Sequence, residues 1–309
     1  MSRFEPFVFF DGLTDSAKNK LPEGLRISGD NDPELLILLR LLSGNLGVLL
    51  GEKKILQKVN YFSPDLTAFG SMWAKKFPPL LGEDLTIEDV DEYVRIKKFA
   101  NKPFYREILY EALNFFVHQK RGAHTSAFIY LYRLLERVSY CFPLIYVSMT
   151  DDFKRTYNVI KSFFGDSKDK DELGFFKTFI DTIFKNDAIL DTTVDFDFFV
   201  SGQDSGGGEK LCSVVKGLLG QDFKKDGLLG DSSISVEYGN VGRFIITIRN
   251  GFFHNLSRKN NINSEELRDS DNLFRLINDR CLYWISSVLL AVISYNISTT
   301  QLSGEASPS

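Results

Sequence analysis

Residues 281–293, Cys-Leu-Tyr-Trp-Ile-Ser-Ser-Val-Leu-Leu-Ala-Val-Ile, form the most apolar run of the chain, and any fold must bury it. The run is shorter than the roughly 20 residues a helix needs to cross a bilayer, and Arg280 and Asn296 flank it. A buried core helix is therefore expected. From Asp271 onward Leu273, Leu276, Ile277, Trp284, Val288 and Leu289 recur at helical spacing, which predicts one long final helix over 271–296. Tyr105, Ile108, Leu109, Ala112, Phe115 and Phe116 repeat the pattern and predict an amphipathic helix over 104–119. With 309 residues, 43% hydrophobic and 28 of them Phe, the chain can build one large core or two ordinary ones.

Ahead of these helices, residues 7–10 suggest a short strand running into a turn at Asp11-Gly12. Asp32-Pro33-Glu34 predicts a helix start, with Asp32 at the cap and Pro33 in the first turn. Residues 35–42 are apolar on every face, as a buried helix requires. Gly44, Gly47 and Gly51 read as close helix packing or a break in it. Thr86-Ile87-Glu88-Asp89 has the pattern of a capping box and starts a helix toward Phe99. Asn101-Lys102-Pro103 punctuates the chain, so the boundary is placed there. Residues 1–100 become a mostly helical N-terminal region of unassigned role, and 101–297 the main domain. His124-Thr125-Ser126 suits the cap of the next helix, which ends near Pro143. Residues 150–235 read as an insertion. Phe153, Tyr157, Ile160 and Phe164 make one helical stripe there, and Phe176, Phe179, Ile180 and Ile183 another. Residues 194–200 alternate like a strand and 201–208 read as a flexible loop. The polar tail, 298–309, is expected to be disordered.

The net charge of −4 argues against a broad basic surface for nucleic acid. Contact with RNA would need a local basic cleft or the pooled charges of two subunits. Cys141, Cys212 and Cys281 are odd in number, far apart, and lack zinc spacing; buried free thiols in a reducing cytosol are expected. The start of the chain has no basic, apolar signal run, so a cytoplasmic protein with no membrane segment is expected.

The stretch that carries chemistry is Arg249-Asn250-Gly251-Phe252-Phe253-His254. Arginine keeps its charge and suits phosphate; histidine passes protons near neutral pH. RNA brings its own nucleophile, the 2′-OH, so a base and a phosphate-gripping cation suffice to cut it. His118 and His124 lie at or near predicted helix ends and read as structural. Asp195 and Asp197 read as solvent-facing strand residues, because no Gly-Ser signature precedes them. Ser205-Gly-Gly-Gly-Glu-Lys210 lacks the Gly-Lys-Ser/Thr ending of a phosphate loop.

Arg249-Asn250 with His254 after a gap of four residues resembles the signature of the HEPN superfamily, all-helical domains of many RNase toxins and phage-defence effectors. Tyr130-Leu-Tyr-Arg-Leu-Leu-Glu136 looks like the helix that precedes the motif in bacterial members, and residues 171–180 like an insert found in them. The resemblance covers roughly residues 100–297. It implies a mainly α fold, a HEPN-like four-helix bundle of 104–119, 125–146, 236–253 and 271–296. It also implies catalytic Arg249, Asn250 and His254, with Glu136 holding the arginine. Glu136 reads equally as a surface residue of a cluster with Arg133 and Arg137. A single motif offers one histidine, whereas in-line cleavage wants both an acid and a base, and the family answers this by dimerising. The implied activity is a metal-independent endoribonuclease leaving a 2′,3′-cyclic phosphate, without cofactor, restrained by a regulatory protein such as an antitoxin or an ATPase. The alternative is a non-catalytic HEPN-type module that binds a partner protein or nucleotide. The acidic charge favours that alternative and the intact motif favours the nuclease.

Overall fold

Helices dominate a computed structural model of the protein, which describes residues 4–29, 31–164, 172–199, 205–219, 232–253 and 270–305. The chain divides into two units. One is Met1–Lys120 with Ile285–Ser309, and the other is Arg121–Trp284.

The first unit contains β1 (Phe7–Asp11), α1 (Asp15–Lys18), α2 (Glu34–Leu42), β2 (Leu46–Leu50), β3 (Lys53–Gln57), α3 (Trp73–Lys76), α4 (Ile87–Lys97) and α5 (Lys102–Lys120). β1, β2 and β3 form an antiparallel sheet in that order, with Phe9 opposite Val48 and Val48 opposite Ile55. The sheet departs from the expected, mostly helical region. Gly44, at φ 76°, does end α2. Gly47 and Gly51, however, serve the sheet. A Cβ on Gly47 would lie 2.0 Å from the Phe10 ring. Gly51, at φ 59°, opens the two-residue turn between Leu50 and Lys53. β2 is the middle strand and starts buried, so it shows no alternation to betray it.

α2 is buried on every side, charged residues included. Its cap differs from expectation: Pro33 holds the N-cap position, and Asp32 turns back to accept from the Ser28 and Gly29 amides at 2.8 and 3.0 Å. Arg40 donates to Asp11, to Leu25 O at 2.8 Å and to Asn45 O at 3.2 Å, with Trp73 5.1 Å from its guanidinium. α5 packs along α2, and Arg106 grips the buried Glu34 Oε1 with Nε at 3.1 Å and NH2 at 3.0 Å. That packing places α5 in the first unit, whose first segment runs to Lys120. The Thr86–Asp89 capping box of α4 forms as expected.

The second unit contains α6 (His124–Ser139), α7 (Phe142–Ser148), α8 (Phe153–Phe164), α9 (Glu172–Ile183), β4 (Thr193–Asp197), α10 (Ser205–Leu219), β5 (Ser233–Glu237) and α11 (Val241–Phe253). α12 (Ser270–Glu305) begins in this unit and continues into the first. The helix expected over 125–146 breaks at Tyr140 and Cys141, because Pro143 has no amide to continue it and instead takes the first turn of α7. Phe142 of α7 stacks on Phe179 of α9 at 3.8 Å. The α8 stripe is not wholly a core stripe, since Phe153 is 89% and Tyr157 63% exposed. The predicted flexible loop ends early. α10 starts at Ser205, and its Gly208 lets the backbone of Phe198 approach, where a Cβ would lie 2.2 Å from Phe198 O.

The helix expected over 236–253 is a strand end, a turn and then a helix. β5 pairs antiparallel with β4, Val194 opposite Val236 and Phe196 opposite Ile234, all four buried. Asp195 and Asp197 point outward, as expected. Despite its β-branched residues, 241–248 is helical. Phe244, Ile245 and Ile248 bury one face, and Phe244 stacks on Phe196 at 4.3 Å. Gly242 admits the Trp284 ring, 2.9 Å from where a Cβ would stand, and Trp284 Nε1 donates to Tyr238 O at 2.9 Å.

α12 outruns both expectations set for it. Its stretch Ser270–Thr300 is long and apolar enough to cross a membrane, yet 67% of its most apolar window, of mean hydropathy 1.5, is buried inside the protein. Past residue 298 it stays helical to Glu305. Thr299 Oγ1 and Thr300 Oγ1 bond back to the carbonyls of Tyr295 and Asn296 at 3.0 and 2.7 Å.

Candidate functional site

Beyond buried Ile245 and Ile248, the last turns of α11 carry Arg249 and Asn250, both half-buried. Arg249 NH1 donates to Asn250 Oδ1 at 2.9 Å. The guanidinium carbon lies 4.7 Å from the centroid of the Tyr132 ring on α6. The next turn is pinned by aromatics. Phe253 lies parallel to Phe128 of α6 at 6.5 Å, and Phe252 meets Phe274 of α12 edge-on at 4.9 Å. Arg249 and Phe253 on α11 thus face Tyr132 and Phe128 on α6, each pair one turn apart, and the two helices run antiparallel here. Gly251 faces α10, where a Cβ would lie 2.6 Å from Leu218 Cδ2. The motif turn is therefore held from α6, α10 and α12.

His254 lies outside the described residues. Glu136, one turn beyond Tyr132 on α6, is exposed; among the described residues it makes no ion pair with Arg249. The arginine lies against the Tyr132 ring and donates to the Asn250 amide oxygen. His118 sits on α5 in the other unit. His124 opens α6, its carbonyl accepting from Asn278 Nδ2 at 3.0 Å.

The start of α6 shows what sequence reasoning missed. Its N-cap residue is Ala123, which has no side chain to cap with. Asp271, in the first turn of α12, supplies the cap from afar: its Oδ1 accepts the Thr125 amide at 2.6 Å, beside a Thr125–Ser270 hydroxyl contact of 3.0 Å. Burial pushes the Asp271 carboxyl up, but the Thr125 amide and hydroxyl, with His124 nearby, outweigh burial and hold it below the ordinary carboxylate value. Tyr132 was visible in the sequence only as part of a family-like segment. Its pairing with Arg249 has no local signal, because the two residues meet only when α6 and α11 pack.

Comparison with protein-family models, with curated proteins and with solved structures finds no match to this chain. The chemistry of the site must therefore be read from its own residues. The Arg249 cation lies 4.7 Å from the centre of the Tyr132 ring, whereas a phosphate is gripped by the N–H edge of a guanidinium. The Asn250 amide lies on that edge and fixes the rotation of the fork. Such a cation can meet the charge that builds on a phosphorane.

Proposed function

We propose that the chain is a HEPN-type endoribonuclease that cuts RNA by attack of the 2′-OH, acting as a toxin or antiviral abortive-infection effector. The observation that carries this reading is the Arg249–Asn250 pair, held at 2.9 Å on a turn that is fastened by neighbouring aromatic side chains. On this reading α5, α6, α11 and α12 are the four helices of a HEPN-like bundle. The 2′-oxygen loses its proton to a base and bonds to phosphorus. The 5′-oxygen leaves and takes a proton, and the product is a 2′,3′-cyclic phosphate. Arg249 stabilises the phosphorane, Asn250 orients the arginine, and His254 is the base or the acid. The cation and the proton carrier are both side chains, so the scheme calls for no metal. The second proton carrier comes from a second copy, in a homodimer whose two motifs approach across a two-fold axis. An antitoxin or an ATPase is the kind of partner that restrains such an activity.

The net charge of −4 favours one other reading, a non-catalytic helical module that binds a partner protein or nucleotide. One experiment separates the two. Purified protein is incubated with structured and unstructured RNAs in EDTA, and the ends are analysed. Cyclic-phosphate products that vanish in His254→Ala support the nuclease, as does toxicity on expression that the same change relieves. Undiminished cleavage by His254→Ala places the activity elsewhere. No cleavage of any RNA, with no toxicity, leaves the binding module. Light scattering of an active preparation tests the dimer, and a monomer at micromolar concentration contradicts it.

A further inference from the structure

The corner between α4 and α5 is a local exception to the acidity of the chain. Between Tyr93 and Arg106 stand five cations, Arg95, Lys97, Lys98, Lys102 and Arg106, and no acid, in a chain of net charge −4. Arg95 pairs with Glu92 at 3.3 Å and Arg106 with Glu34 at 3.0 Å. Lys97, Lys98 and Lys102 make no ion pair among the described residues. The corner is tight: Asn101 takes φ 52°, and the Ala100 amide closes on Lys97 O at 2.9 Å. Buried Val94 and Tyr105 anchor its two arms. At the tip Phe99 is 72% exposed, with Lys98 Nζ and Lys102 Nζ at 4.9 and 5.9 Å from its ring centroid.

We propose that this corner is a docking site for single-stranded RNA, in which one base stacks on Phe99 and Lys97, Lys98 and Lys102 neutralise the flanking phosphates. The charge complementarity is direct, and an exposed ring beside unpaired ammonium groups is the pairing that single-strand binders use. An anionic bilayer fits less well. Sinking Phe99 toward the acyl chains would carry with it the two ammonium groups that lie against its ring. A base stacked on the ring leaves those groups at the level of the phosphates. The choice of RNA rests on the nuclease reading, but the corner is built without Arg249.

The test uses the full chain with Arg249→Ala, so that RNA survives, and a labelled unstructured RNA of about 12 nucleotides, within single-strand site sizes. Anisotropy is followed across a salt series. With Lys97→Gln, Lys98→Gln and Lys102→Gln together, affinity falls at least about tenfold near 0.1 M salt, and the slope of log K against log salt drops by about 2. Phe99→Ala alone weakens binding about fivefold or more, the scale of one lost base–aromatic stack. Melting curves matching the parent show that both variants are folded. If both bind like the parent, the inference is overturned. It is equally overturned if the protein binds no RNA, or if the corner instead mediates binding to phosphatidylserine vesicles. Cleavage of a dinucleoside phosphate, too short to span a second site, separates the two readings. RNA held by the corner with no cleavage sinks the nuclease and leaves this site. Cleavage with normal binding by the corner variants does the reverse.

Discussion

The guanidinium of Arg249 lies over the ring of Tyr132, 4.7 Å from its centroid, and this pairing joins α11 to α6 at the candidate site. Arg249 NH1 also donates to Asn250 Oδ1 at 2.9 Å, so the ring and the amide together position the cation. Arg249→Ala and His254→Ala are each expected to lower RNA cleavage by about 10²–10⁴-fold, the usual range for such groups. Arg249→Lys keeps the charge but cannot make a two-pronged contact, so it restores only part of the activity. Tyr132→Phe keeps the aromatic face and most of the rate, whereas Tyr132→Ala loses it. Single-turnover cleavage in EDTA reads all five. Equal rates for the Phe and Ala variants would sever Tyr132 from function.

The cap that Asp271 gives to Thr125 makes stability depend on acid. A carboxyl held below its ordinary value stabilises the folded state above the unfolded value of about 3.9, and that stabilisation fades as pH falls through the lower folded value. Asp271→Ala should cost about 1 kcal/mol at neutral pH, the size of a lost helix cap. The gap from the parent should close below about pH 4. Urea unfolding at pH 7 and near pH 3 checks this. A gap that widens in acid would show the sign to be wrong.

Two glycines predict opposite outcomes for one added methyl group. At Gly47 the Cβ would stand 2.0 Å from a Phe10 ring carbon, and Phe10 is held in a strand. Gly47→Ala should cost about 1–3 kcal/mol, as overpacking does. At Gly251 the near atom is the tip of Leu218, 2.6 Å away, which can rotate. Gly251→Ala should be near neutral, because alanine also favours a helix over glycine. Thermal melts compare the pair directly, and an equal loss from both would contradict the packing argument.

Arg40 is the one cation among the fully buried large side chains of the described residues, and it is held by Asp11, whose side chain is 7% exposed. Burial lowers its pKa, against which Asp11 acts. Arg40→Ala strands the Asp11 charge and should cost about 3–5 kcal/mol. Asp11→Asn combined with Arg40→Met should recover a substantial part, because no lone buried charge then remains. Denaturant titration of the three proteins decides it. A double variant no better than Arg40→Ala would mean that the hydrogen bonds, not the charges, dominate.

The cysteines should be slow to react. Burial pushes the Cys141 thiol up to about 12, and burial, with Asp279 adding to it, raises that of Cys281; Cys212 is buried as well. Thiolate is the reactive form, so a thiol reagent near pH 8 should label the native protein slowly, and all three cysteines promptly in denaturant. Rapid labelling of one native cysteine would show that its segment opens.

Much of this architecture was written locally. The i, i+3, i+4 spacing of Leu273, Ile277, Trp284 and Val288 specifies α12, that of Ile108, Leu109 and Ala112 specifies α5, and the Thr86–Asp89 box starts α4, because each signal lies within one or two turns. The motif Arg249-Asn250 could be read as a place for a cation to grip phosphate. What holds it could not. Tyr132, Phe128, Leu218 and Phe274 come from three other helices, and Asp271 caps a helix 146 residues away in the chain. The β-branched run at 241–248 had a strand's local preference and became a helix because Phe196 and Trp284 give its buried face something to pack on. Gly47 and Gly51 looked like a helix break and became a hairpin, since only a neighbouring strand reveals which face of β2 is covered. Sequence alone determined where the chain has helical periodicity and which residues can carry charge to a phosphate. Tertiary structure decided which of those residues meet, because burial and side-chain contact depend on segments far apart in the chain, and no local pattern records their approach.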